Sequence, residues 1–245
     1  MNQIKLYNAD CLEILDDLIA DGVKVDAVIT DPPYGVGFKN DFYDDSYESV
    51  MAKLPEWFEQ WYRILQNDSY LYLFVGVKTL HRWIDEGIKA GFNYKNIIAT
   101  RSFNNGSITP KNSFGFQFQP IIVFSKGKGK PYNEVDFFPT SKEWFNDKRN
   151  KNPKPFTYQY TNFIPTNITY ATEKRSTVSI HPNEKSIKLL KFLIEISTNE
   201  CDTVLDSFMG SGTTGIACKE SNRNFIGIEI DTKYFNVASE RIEND

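Results

Sequence analysis

Two short stretches hold the residue types that could do chemistry. In "VDAVITDPPYGVG", Val25 to Gly37, the apolar run Val25, Ala27, Val28 and Ile29 ends in Asp31, Pro32, Pro33 and Tyr34. Neither proline has an N–H for a sheet ladder, so the strand stops where an acid, two rigid φ angles and an aromatic ring meet. In "VLDSFMGSGTTGIA", Gly210, Gly212 and Gly215 have GxGxxG spacing between a strand and a helix. Such a loop brings backbone close to a nucleotide-type cofactor. Glu229 ends the strand-like "NFIGIEI" 19 residues past Gly210, the place of an acid that takes ribose hydroxyls. No Walker lysine follows the glycines, which disfavours a nucleoside triphosphate loop.

Both stretches need a scaffold, and the flanking pattern supplies one. "CLEILDDLIADG" has helical apolar spacing closed by Gly22, and "VDAVIT" reads as a strand. "SVMAKLPEWFEQWYRIL" is a helix entered before Pro55 or broken near it, followed by the buried strand "SYLYLFVG". "KTLHRWIDEGIKAG" is an amphipathic helix; "YKNIIATRS" and "FQPIIVFSKG" are strands. Alternation of this kind predicts an α/β fold: a largely parallel, Rossmann-like sheet with helices on both faces. The pattern lapses between the lysine-glycine run and Tyr170, where proline, asparagine, aromatics and lysines follow no period. It resumes at "HPNEKSIKLLKFLIEIST" and continues through "DTVLDSF", "TTGIACKES" and "NFIGIEI". In such a sheet the strand C-termini share one crevice, so a nucleoside cofactor on the glycine loop faces Asp31 and Tyr34.

At 245 residues with 40% apolar and 24% charged composition, the chain suits one domain with an insertion. No apolar run approaches the ~18 residues of a membrane span, and the first residues lack a signal-peptide pattern, so a soluble, cytoplasmic setting is expected. Three scattered cysteines and two histidines exclude a disulfide framework and make a metal site improbable. Charge is uneven. Arg101 to Lys191 hold 15 basic and 6 acidic residues, a balance of +9 against −13 for the rest. A basic face on an acidic scaffold is what a phosphate backbone needs. Lys126, Lys128, Lys130, Lys148, Arg149 and Lys151 are its candidate contacts.

Together the motifs become specific. Asp-Pro-Pro-Tyr followed far downstream by Phe-x-Gly-Ser-Gly-Thr-Thr resembles the S-adenosylmethionine-dependent amino-methyltransferases of DNA, in the circularly permuted β order. "NADCLEIL" is similar to that family's Gly-Asp-Cys opening, "HPNEKSIKLL" to its His-Pro-x-x-Lys-Pro helix, and "FSKGKGK" to the strand end before its recognition insert. Asn8 and Ser186 depart from the pattern, and "FQFQPIIVF" lacks the acid often found there. That last departure leaves open which of Phe114, Phe116 and Phe118 helps hold a base.

The resemblance implies a catalytic half at 1–126, a target-recognition insert at 127–176 and a cofactor half at 177–245. It implies that Asp31 and the Pro32 carbonyl accept the two N–H groups of an exocyclic amine, with Pro33 fixing the turn. Tyr34 would stack on a base swung out of the duplex. S-adenosylmethionine would lie against Asp10, Cys11, Asp31, His181, Lys185, Asp206, Phe208, Gly210, Ser211, Gly212, Thr213, Thr214 and Glu229. In this family Asp at the motif's start goes with adenine N6, Ser with cytosine N4 and Asn with glutamine, so Asp31 favours adenine. Cytosine-N4, RNA or protein-glutamine methylation remains open, as do a nicotinamide oxidoreductase and a silent nucleic-acid-binding subunit. The implied partner is double-stranded DNA; the resemblance also admits a homodimer and a cognate restriction endonuclease.

Overall fold

In the computed structural model, residues 2–37, 43–101, 118–133, 163–164 and 185–244 are described. Eight strands form one sheet: β1 (Ile4–Tyr7), β2 (Val25–Thr30), β3 (Leu65–Phe74), β4 (Asn93–Arg101), β5 (Phe118–Ser125), β6 (Phe163–Ile164), β7 (Thr203–Asp206) and β8 (Asn224–Ile228). Their spatial order is β1-β8-β7-β2-β3-β5-β4-β6. Every pairing is parallel except the two that β5 makes, with β3 and β4. The expected sheet is therefore present, with one reversed strand. That reversal brings the first residues of β5 to the edge where its neighbours end, since Ile121 pairs with Phe74 and Ser125 with Tyr70.

Strand alternation feeds two cores. Val28, Leu71, Leu73, Ile122 and Phe124 pack under α1 (Cys11–Ala20), α2 (Tyr47–Ile64) and α3 (Leu80–Lys89). Ala27, Ile29, Tyr72, Phe74 and Val123 pack under α4 (Ile187–Ser197), α5 (Thr213–Glu220) and α6 (Thr232–Asn244). Helix α2 runs unbroken through Pro55. The proline lies on the exposed face, while buried Leu54, Trp57, Phe58 and Trp61 hold the helix down. Tertiary packing thus outweighs the proline's helix-breaking tendency. The short edge strand β1 has no counterpart in the sequence reading.

Two details bear on function. Residues 127–133, assigned above to the insert, are fastened to the sheet body. The Lys128 amide donates to Asp68 Oδ1 at 2.7 Å, and Asn133 Nδ2 donates to the carbonyls of Glu195 and Thr198 at 3.0 and 2.8 Å. Further on, Phe163 and Ile164 pair with Ala99 and Thr100 near the end of β4. The stretch between thus starts at the far edge of the sheet and returns at the crevice edge.

Candidate active site

The strand ends β2, β3, β7 and β8, the start of α1 and the segment before α4 surround a cavity of about 580 Å³. That volume suits a small-molecule or cofactor site. Asp10, Cys11, Asp31, Pro32, Pro33, Tyr34, Lys185, Asp206, Phe208, Gly210, Ser211, Thr213, Thr214 and Glu229 all border it. Gly212 turns the other way: a Cβ there would meet Ala238 Cβ at 2.9 Å, and its φ of +82° is left-handed. His181 lies outside the described residues, as do Lys148, Arg149, Lys151, Phe114 and Phe116.

The acid of the proline motif stands in a network. Tyr34 Oη donates to Asp31 Oδ1, and Lys185 Nζ lies 2.6 Å from Asp31 Oδ2 and 5.2 Å above the Phe74 ring. Tyr34 Oη in turn accepts from Gln119 Nε2, at the start of β5. Burial, with Asp31 alongside, pushes the Tyr34 phenol well above its ordinary range, so it stays a donor. Its ring rests on Gly76, where a Cβ would come within 3.3 Å. The Tyr34 carbonyl accepts from Thr79 Oγ1 at 3.1 Å. Beyond it, buried Asp45 accepts from the amides of Gly35 at 2.8 Å and Val36 at 3.3 Å, and its own carbonyl accepts from Gly37 at 2.7 Å.

The glycine loop is equally braced. Glu229 Oε2 accepts from the Gly210 amide and Oε1 from the Asp231 amide, both at 2.9 Å. Burial raises the Glu229 carboxyl above its usual range. Gly210 has a φ of +53° and nothing within 4 Å of where a Cβ would be. The loop therefore bares its backbone there. Asp206 Oδ1 accepts from Thr30 Oγ1 at 2.8 Å and the Phe208 amide at 3.1 Å, and Oδ2 accepts from Thr214 Oγ1 at 2.6 Å. Burial pushes its carboxyl up to about 6. Asp206 is thus the knot joining the ends of β2 and β7, and Thr214 offers the cavity its helix-terminal backbone while its hydroxyl donates to Asp206. Asp10 Oδ1 caps α1 through the Leu12 amide at 2.9 Å. Cys11 is buried, and burial lifts its thiol above the usual range, leaving it unreactive.

Gln119 and Asp45 are the residues the sequence reading missed. Gln119 sits at the start of the strand that lacks the family's acid; Asp45 carries no sequence signal. Lys126 needs a correction. Its Nζ donates to the carbonyls of Tyr62 and Leu65, both at 2.8 Å, and lies 4.8 Å over the Tyr62 ring. Burial lowers its pKa. It stands past Ser125, at the sheet edge opposite Asp31, and serves as a brace between α2 and β5. The Lys130 amide is fixed at that edge too, donating to the Asp68 carbonyl at 2.7 Å, and so is Lys128.

Known proteins resemble this chain in sequence and in fold. Type II methyltransferase M.HpaI of Haemophilus parainfluenzae is 28% identical over 229 residues, 90% of this chain and 69% of that protein. DNA adenine methyltransferase YhdJ of Escherichia coli (strain K12) is 28% identical over a 255-residue alignment, 97% of this chain and 82% of the relative. Among solved structures, the M1.HpyAVI–SAM complex is 30% identical with a TM-score of 0.71, covering 98% of this chain and 99% of that one. The cytosine-N4-specific PvuII DNA methyltransferase has a TM-score of 0.73 at 16% identity, a likeness of fold alone. A DNA methylase family model (N6_N4_Mtase) matches residues 25–240. With that match across both motifs, the chain belongs to the DNA methylase family.

Proposed function

We propose that this chain moves a methyl group from S-adenosylmethionine to the exocyclic N6 of an adenine swung out of double-stranded DNA. The observation that carries the reading is one cavity bordered by both Asp31-Pro32 and the Gly210 loop with Glu229. The residues fit the cofactor: Gly210 leaves open space, and the carboxylates of Glu229 and Asp10 border the same cavity. Glu229 would take the ribose hydroxyls, Asp10 the adenine amine, and the amide end of α5 at Thr213 and Thr214 the carboxylate. When bound, S-adenosylmethionine supplies an electrophilic methyl on a sulfonium centre.

The chain's own residues have the harder task, because an adenine amine is a poor nucleophile whose lone pair is delocalised into the ring. Asp31 and the Pro32 carbonyl accept one N–H each, which draws the nitrogen towards tetrahedral geometry and localises that pair. An ionised carboxylate has about four lone-pair sites, so Asp31 can accept the amine while keeping Tyr34 and Lys185. The new N–CH3 bond would replace the carbon–sulfur bond of the sulfonium, and the proton the nitrogen must shed would pass to the Asp31 carboxylate already hydrogen-bonded to it. Because the two prolines and Asp45 hold the turn, no reorganisation is needed at the moment of transfer. A nicotinamide oxidoreductase would leave Asp31 and Pro32 without a task.

The stretch between Asn133 and Phe163 is the part we assign to DNA, supported by its cation cluster Lys148, Arg149, Lys151 and Lys154 and by its return to the crevice edge. A cognate restriction endonuclease and a second copy of the chain are further partners of this reading; the name Type II methyltransferase among the relatives supports the first. Incubation with methyl-labelled S-adenosylmethionine and mixed-sequence DNA, followed by nucleoside analysis, tests the reading. Label in N6-methyladenine is expected. Label in N4-methylcytosine would overturn the base assignment, and no label in any DNA would overturn the activity.

A further inference from the structure

Gln119 completes the network around Asp31 from a different strand, 85 residues from Tyr34. Among the described strands, β5 is the one that enters the crevice by its N-terminal end, because it runs antiparallel to both neighbours. We propose that Gln119 is a positioning residue that fixes the direction of the Tyr34 phenol proton and so keeps Asp31 a pure hydrogen-bond acceptor. Its consequence for rate rests on the methyl-transfer reading above; its consequence for Asp31 does not.

A phenol has a single hydrogen and can accept as well as donate. Tyr34 is held from two sides: it packs so close to Gly76 that a Cβ there would lie 3.3 Å from Tyr34 Cβ, and its carbonyl accepts from Thr79 Oγ1 at 3.1 Å. What remains free is rotation of the O–H. Gln119 Nε2 is a donor aimed at Oη, so the hydrogen cannot point that way and goes to Asp31 Oδ1. Only the donor end of the amide is compatible with a phenol that donates to a carboxylate.

The absence of charge at 119 matters as much as the shape. Asp31 is already faced by Lys185 before α4, by Tyr34 from its own loop, by Tyr43 from the loop ahead of α2, and by Asp206 at the end of β7. A carboxylate in place of the Gln119 amide would claim the same phenol hydrogen. Asp31 and that second acid would then compete for it, and two facing carboxylates favour sharing a proton between them. A protonated Asp31 is a weaker acceptor and cannot take the proton the amine must lose.

The isosteric Gln119→Glu and the apolar Gln119→Leu test this on the full chain. The Asp31 13Cγ signal, identified by its loss in Asp31→Asn, is followed against pH. Gln119→Glu should move its midpoint upward by about one pH unit or more, and Gln119→Leu should not move it upward. Methyl transfer should show the same pattern. The acid limb moves up in Gln119→Glu with rate recovering at alkaline pH, while Gln119→Leu loses about tenfold in kcat at every pH with cofactor affinity unchanged. An unmoved midpoint in Gln119→Glu, or a wild-type kcat in Gln119→Leu, overturns the proposal. A moved midpoint in Gln119→Glu, with a wild type that methylates no DNA, would overturn only the methyl-transfer reading.

Discussion

Lys185 Nζ lies 2.6 Å from Asp31 Oδ2, joining the segment before α4 to the end of β2. Both side chains are mostly covered, at 15% and 27% exposure, so solvent screens the pair only partly. The sequence resemblance places Lys185 with the cofactor, whereas its ammonium reaches the acid that would hold the amine. Lys185→Met should therefore lower kcat by about tenfold or more and leave S-adenosylmethionine affinity within a few-fold, with Lys185→Arg recovering part of the rate. Calorimetry beside turnover decides between the two assignments. A large loss of cofactor affinity with normal kcat would return Lys185 to the cofactor.

Asp45 should behave as the clamp of the catalytic turn. Asp45→Ala leaves the Gly35 and Val36 amides without their acceptor, a loss of about 2 kcal/mol in stability, and frees the residues that follow Tyr34. We expect kcat to fall while cofactor affinity stays, and Asp45→Asn, which keeps one acceptor oxygen, to restore much of the rate. Equal kcat in wild type and Asp45→Ala would show that the prolines alone hold the turn.

These two residues mark the limit of what the chain reveals before folding. Asp31 and the glycine loop were legible because their signals are local: prolines end a strand whatever packs around it, and Gly210 and Gly212 have φ of +53° and +82°. Gln119 was not legible, since the apolar run of β5 gives no direction, and only antiparallel pairing brings its first residues to Tyr34. Direction also explains Lys126. Read as charge, it belonged to a DNA face; the register of Ser125 with Tyr70 sends it to the opposite edge. Pro55 shows the converse, a strong local signal overridden by a buried aromatic stripe.

Glu229 has two duties, and its variants should separate them. Its oxygens accept the Gly210 and Asp231 amides at 2.9 Å, so the proposed ribose bonds use the remaining lone pairs. Glu229→Ala removes both the ligand contact and the loop brace, and should weaken S-adenosylmethionine binding by about 1.5–3 kcal/mol, roughly ten- to a hundredfold. Glu229→Gln keeps one acceptor and should lie between. Calorimetry on the three proteins measures this, and an unchanged affinity in Glu229→Ala would remove Glu229 from the cofactor site.

Asp206 predicts a pH dependence of stability. Its carboxyl is pushed from 3.8 up to about 6 by burial, so the folded state binds its proton more tightly than the unfolded state. For an acid with a raised value, stability is highest below the unfolded pKa and falls as pH rises through the folded one. The window is about pH 4 to 6, and the full effect approaches 3 kcal/mol as an upper figure. Asp206→Asn cannot titrate, and its amide can donate to Thr214 Oγ1. Denaturant unfolding across that window should show a shallower decline in Asp206→Asn than in wild type. Parallel curves would mean that the unfolded chain holds this carboxyl in a similar setting.

The lysines divide into two populations with opposite signatures. Lys126 donates to two carbonyls at the sheet edge away from Asp31, so Lys126→Ala should cost stability and leave DNA affinity alone. Lys148, Arg149 and Lys151 belong to the stretch assigned to DNA. Each phosphate contact releases counterions and contributes about −0.9 to the slope of log affinity against log salt. Replacing the three with alanine should weaken binding on every DNA sequence and make that slope shallower by up to about 2.7. Base-reading residues would act differently, relaxing selectivity at single positions at about 1–3 kcal/mol each. DNA affinity as a function of salt, for wild type, Lys126→Ala and the triple variant, separates these roles. An unaltered slope in the triple variant would place the phosphate contacts on another part of that stretch, and an altered slope in Lys126→Ala would show that the brace opens to meet DNA.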